Sequence, residues 1–128
     1  MMLELPWPDK TLSPNSRGYW AKRAGAVKKA RRLAYLAMLE HAGVGAARQM
    51  FSDYAGRIHL WITFHPKTKR LPDDDNCLAM FKAYRDGIAD ALGIDDGRFI
   101  SHPFVSDKTA EGGRVVVRFS KDADKLYG

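Results

Sequence analysis

The chain has 128 residues, with 21 Lys and Arg against 15 Asp and Glu, a formal net charge of +6 and one cysteine. That length suits a single domain, expected over 1–128, with a real but modest core. The lone Cys77 excludes an internal disulfide and a cysteine-rich zinc site and fits a reducing cytoplasm, and neither a leader sequence nor an apolar run near the ~20 residues of a membrane span is found.

Residues 3–8, Leu3-Glu4-Leu5-Pro6-Trp7-Pro8, alternate apolar and polar before two prolines, which predicts a short edge strand. Residues 9–16 read as loop, with Asn15 or Ser16 as the N-cap of the next helix. From about 17 to 41 the spacing is helical. Trp20, Ala24, Val27, Ala34 and Met38 form the expected core stripe, and Lys22, Lys28, Lys29 and Arg32 form a basic face. Gly43 and Gly45 end that helix, and 43–55 reads as a loop or a helix remnant. In 57–64, Ile58, Leu60, Ile62 and Phe64 alternate with Arg57, His59, Trp61 and Thr63, the clearest strand pattern in the chain. A basic loop with Lys67, Lys69 and Arg70 leads into a second helix over 74–92, whose apolar face is Leu78, Phe81, Tyr84, Ile88 and Leu92. Gly93 ends it, Asp95-Asp96-Gly97 forms a turn, and strands follow at 99–105 and 114–120, expected to be joined as a hairpin through 107–113. The polar C-terminal residues are expected to fray. Strand, helix, strand, helix, strand, strand implies an α/β or α+β domain: a mixed sheet of about four strands with two main helices packed on it.

The sequence pI is near 9.6, which favours a polyanionic partner. Within this basic chain Asp73-Asp74-Asp75-Asn76 and Asp95-Asp96 stand out. Crowded carboxylates repel one another, and a bound cation relieves that repulsion. In extended backbone Asp73 and Asp75 point to one side and Asp74 to the other, so the first two can share a hard divalent ion such as Mg²⁺, with the 95–96 turn supplying a third carboxylate. The intervening helix is about 27 Å long, so the patches meet only if a neighbouring strand, subunit or loop brings them together. A second reading stays open for each patch: an acidic N-cap favoured by the helix dipole, and an ordinary turn. Lys82 has the same two faces. It can stabilise charge on a phosphate oxygen, or it can pair with Asp86 four positions on; Arg85 serves in either part. The residues needed for a helix–loop–helix calcium site, a phosphate-binding Gly-rich loop or a Ser or Cys nucleophile motif are missing, so no small-molecule cofactor is expected. His41, His59, His65 and His102 lack close metal-ligand spacing and read as structural.

Several segments share their order with one known family. They are Leu5-Pro6-Trp7-Pro8, Ser13-Pro14-Asn15, the basic loop running into Asp73-Asp74-Asp75-Asn76, the helix end Asp90-Ala91-Leu92, the Asp95-Asp96 turn, and Gly112-Gly113-Arg114 before the last strand. In order and spacing, over nearly the whole length, they resemble the RusA family of Holliday junction resolvases of phages and prophages. The resemblance implies a RusA-like fold and a homodimer that binds four-way junctions and other branched DNA. It implies symmetric phosphodiester hydrolysis with Mg²⁺, or Mn²⁺ in its place, in DNA recombination and repair within the bacterial cytoplasm. The family's metal-binding aspartates fall on Asp73, Asp75 and Asp96, with Asp95 as the adjacent alternative. Its catalytic lysine falls at Ala79, and Lys82, three positions on and on roughly the same helix face, takes that place here. On this reading Lys67, Lys69, Arg70, Lys22, Lys28, Lys29 and Arg32 hold the DNA backbone. Two further readings are a structure-selective DNA-binding protein of the same fold with weakened catalysis, for which the displaced lysine speaks, and a small basic structural protein.

Overall fold

Alternation along the strands builds the sheet. In a computed structural model that describes residues 2–14 and 20–122, Leu3 and Leu5 of β1 (Met2–Pro6) lie opposite Val117 and Val115 of β4 (Arg114–Lys121) in an antiparallel pair. β4 also pairs antiparallel with β2 (Ile58–His65), setting Val117 against Ile62 and Val115 against Phe64. β3 (Phe99–Val105) pairs parallel with β2 on its other edge, so the order is β1-β4-β2-β3. Leu60, Ile62 and Phe64 turn to one face, where they are buried with Met38 of α1 (Trp20–Ala42) and with Phe81 and Ile88 of α3 (Asp74–Leu92). The protein is a small single-domain α+β fold: a four-stranded mixed sheet with two main helices packed on it. A short α2 (Val44–Gln49) realises the helix remnant foreseen after Gly43.

Strands β3 and β4 do not form the expected hairpin. Parallel pairing of β2 with β3 requires a crossover, which α3 supplies, and this puts β3 on the outer edge of β2. The chain then crosses the end of β2 to reach its other side. The Ser106 N–H donates to the Phe64 carbonyl at 2.9 Å, and the Ala110 N–H donates to the Pro66 carbonyl at 3.0 Å. β4 thereby reaches β1, whose leucines complete its apolar face.

The apolar stripe of α1 is also corrected. Ala34 and Met38 are buried, joined by Ala30, but Trp20 is 73% exposed, Val27 is 37% exposed and Ala24 is exposed. At 23 residues, or about 34 Å, α1 outruns the small core beneath it, so its first half projects past the packed layer. The suggested N-cap at Asn15 or Ser16, the helix start at 17 and the fraying of the last residues fall outside the described residues, apart from 121 and 122.

The two helices approach closely at Gly87, where an added Cβ would collide with the Arg31 carbonyl oxygen. α3 ends as its sequence predicts: Gly93 takes the left-handed conformation at φ 70°, and its N–H caps the carbonyls of Ala89 and Asp90. Among the described residues no helix is long and apolar enough to cross a membrane.

Candidate functional site

The first turn of α3 decides the geometry of the acidic segment. Asp73 is its N-cap, with extended backbone, and its Oδ1 accepts the Asp75 N–H at 2.9 Å. Asp74 and Asp75 already lie in the helix, where carboxylates are favoured by its positive end. The extended arrangement that would turn Asp74 away is therefore replaced. One side-chain oxygen from each of Asp73, Asp74 and Asp75 lies within 4.8 Å of the others, and all three residues are exposed. Their donors are hard oxygens facing water, which suits a divalent ion that keeps several water ligands. The field of the cluster reaches the buried Cys77, whose thiol is pushed up to about 11 by burial and then by Asp74 and Asp73.

Farther along α3 a second acidic group has a different character. Asp95 caps a 3₁₀ turn, Asp96–Arg98, through its Oδ1 and the Gly97 N–H at 2.9 Å. That turn folds back beside the middle of α3 and does not reach the first turn. Lys82 Nζ donates to Asp86 Oδ1 at 2.8 Å and to Asp96 Oδ2 at 3.2 Å, so it makes the local pair foreseen for it and a long-range one besides. Arg85 Nη2 donates to the Asp96 and Phe99 carbonyls, each at 3.0 Å, and its Nη1 reaches Asp96 Oδ2 at 3.4 Å. The hydrogen bonds from Lys82 and then with Asp86 hold the Asp96 carboxyl below its usual range, and the Asp86 bond raises Lys82 above its own.

Arg31 closes this group from α1. Its Nε and Nη2 donate to Asp90 at 2.6 and 2.8 Å, lowering the Asp90 carboxyl. Arg31, Lys82, Asp86, Asp90, Asp95 and Asp96 line an open cleft of about 340 Å³. Sequence reasoning missed Arg31 and Asp90 because the pair spans 59 residues and no local spacing marks it.

The carboxylates expected together are thus divided. Asp73 and Asp75 meet, with Asp74 added, whereas Asp95 and Asp96 stand in the cleft two turns along the helix. Lys82 follows Asp75 by about 10 Å of helix rise. Lys67, Lys69 and Arg70 are exposed in the loop that enters α3, and Lys22, Lys28, Lys29 and Arg32 are exposed on α1. Arg23, on the same helix, instead ties down the N-terminal loop by donating to the Thr11 and Ser13 carbonyls at 2.9 and 3.1 Å.

Two of the histidines, a buried His59 and a half-buried His102, meet on the sheet. Nδ1 of His59 meets Nε2 of His102 at 2.7 Å, and Nε2 of His59 meets Asp122. A carboxylate can only accept, so His59 Nε2–H donates to Asp122. Burial and then His59 hold His102 below its ordinary value of 6.5.

No protein-family model matches the chain. It is 54% identical over 115 residues to a Xylella fastidiosa protein described only as uncharacterized, an alignment covering 90% of this chain and 72% of that one. At that identity and coverage, the chain belongs to the same family as the Xylella protein.

Proposed function

We propose that the protein is a metal-dependent endodeoxyribonuclease that resolves four-way junctions and other branched DNA, as its resemblance to the RusA resolvases implies. One observation carries this reading: three exposed carboxylates meet at the start of α3 directly after a loop bearing Lys67, Lys69 and Arg70. Asp73, Asp74 and Asp75 would hold Mg²⁺ or Mn²⁺, with Asp96 or Asp95 joining only if a second subunit or a loop movement brings it near. When bound, the ion supplies an activated water and neutralises charge on the phosphodiester. Lys82 lies on the same helix as the cluster, and its ammonium is kept charged by Asp86 and Asp96 for use against a developing negative oxygen. The exposed cations of the 67–70 loop and of α1 hold the backbone without reading sequence. Symmetric cutting of a four-way junction asks for two such sites about a two-fold axis, which a homodimer provides.

The test is a labelled four-way junction incubated with Mg²⁺ or with EDTA, beside the Asp75→Asn variant. Paired symmetric nicks that need both the metal and Asp75 support the proposal, and nicking by the variant at the parent rate sinks it. A second reading, junction binding without cleavage, is favoured by Ala79 at the family's lysine position and by the engagement of Lys82 with two carboxylates. Tight binding with no nicks under Mg²⁺ or Mn²⁺ would select it.

A further inference from the structure

The helices cover one face of the sheet. By alternation the other face carries Trp61, Thr63 and His65 of β2, His102 and Phe104 of β3, Arg114, Val116 and Arg118 of β4, and Glu4 of β1. An uncovered face is ordinarily polar. Here Trp61 stacks on His102 with centroids 4.0 Å apart at 12°, and Phe104, on the same side of β3, is 62% exposed.

Beside these rings runs a groove of about 470 Å³ whose lining includes Thr63, Phe104, Lys108, Arg114 and Arg118. Three fixed cations thus face it against Glu4 and Asp107. Among the described residues Glu4 pairs with Arg114 alone, at 3.8 Å, and the Arg118 guanidinium and the Lys108 ammonium have no side-chain partner. A second copy of this face would bring the unpaired Arg118 and Lys108 against apolar surface, an unfavourable burial. A ligand that alternates phosphates with planar rings satisfies both features at once.

We infer that the open face of the sheet is a second nucleic-acid site, one that takes an unpaired strand. Phe104 and the outer side of the Trp61–His102 stack receive bases, and Arg114, Arg118 and Lys108 receive phosphates. The site lies on the sheet face turned away from α3 and does not depend on the cleavage reading, because it uses none of its carboxylates.

The test is binding of a fluorescent oligothymidylate of about a dozen nucleotides, in EDTA so that no strand is cut, with a duplex of equal length as control. Phe104→Ala and Arg118→Ala should each raise the single-strand Kd about tenfold, the scale of one lost base stack, and leave duplex binding unchanged. Phe104→Trp should retain affinity, since the ring and not the residue is needed. In amide NMR spectra of the full chain, the oligonucleotide should shift Thr63, Phe104 and Arg118. Unchanged affinity in both alanine variants overturns the inference. So do shifts confined to α1 and the 67–70 loop, or a dimer that becomes monomeric in Phe104→Ala while binding the strand as before. Junction nicking under Mg²⁺ is read separately, so failure here and failure of the nuclease reading remain distinguishable.

Discussion

Two groups of aspartates lie along one helix, Asp96 reaching the second from the turn that follows, and they are treated in opposite ways. At the start of α3, Asp73, Asp74 and Asp75 face water, and the donor that Asp73 accepts is a backbone N–H, not a cation. Beyond the helix middle, Asp86, Asp90 and Asp96 are laced to Lys82, Arg85 and Arg31. The second group carries its own counter-charges, so its carboxylates are already occupied. The first keeps its repulsion, relieved only by the helix dipole, and is therefore the one that gains by taking a cation. Counting acidic residues does not separate the two; the origin of the counter-charge does.

The largest effect should come from Asp75→Asn against Asp90→Asn. The first should lower junction cleavage by about 10²–10³-fold, the scale of removing one transition-state stabilising group, and weaken Mn²⁺ binding measured by calorimetry. The second should leave Mn²⁺ binding at the first group intact; equal loss in both would erase the distinction. Next, Gly87→Ala forces α1 away from α3, because its Cβ would meet the Arg31 carbonyl. We expect about 2–3 kcal/mol of destabilisation in urea unfolding, from overpacking and a loosened Arg31–Asp90 pair. Arg85→Ala should cost about 2 kcal/mol, since it leaves the Asp96 and Phe99 carbonyls without their charged donor and frees the Asp96 turn. A midpoint unchanged by that variant would show that the turn holds itself.

The smallest effects concern pH. Asp90 and Asp96 are lowered in the folded state from 3.8, so their contribution is present above about pH 4 and is lost as pH falls through the folded values. Arg31 and Asp90 are half-exposed and screened, so that pair supplies about 0.5 kcal/mol. His102 is also lowered, from 6.5, which means that below that value the unfolded chain binds the proton more readily and stability declines. Unfolding followed at pH 7.5 and 5.5 should show this loss, and His102→Gln should flatten it.

What the amino-acid order determined by itself is local. The 74–92 helix, its stop at Gly93 and the strand at 58–65 follow from periodicity and caps within a few residues, and so does the basic loop running into Asp73. The acidic clusters stood out by their charge, and of the Asp73, Asp75 and Asp96 that the family resemblance implied as ligands, only the first two meet. Only the tertiary structure decided the rest: that β4 lies between β1 and β2, that the first half of α1 projects past the core, that Asp96 joins Lys82 and not Asp73, and that Arg31 clasps Asp90. Each of these depends on a chain closure or packing choice between distant segments. A side-chain pattern repeats every two or 3.6 residues, and it says which face is apolar but not which partner will cover it.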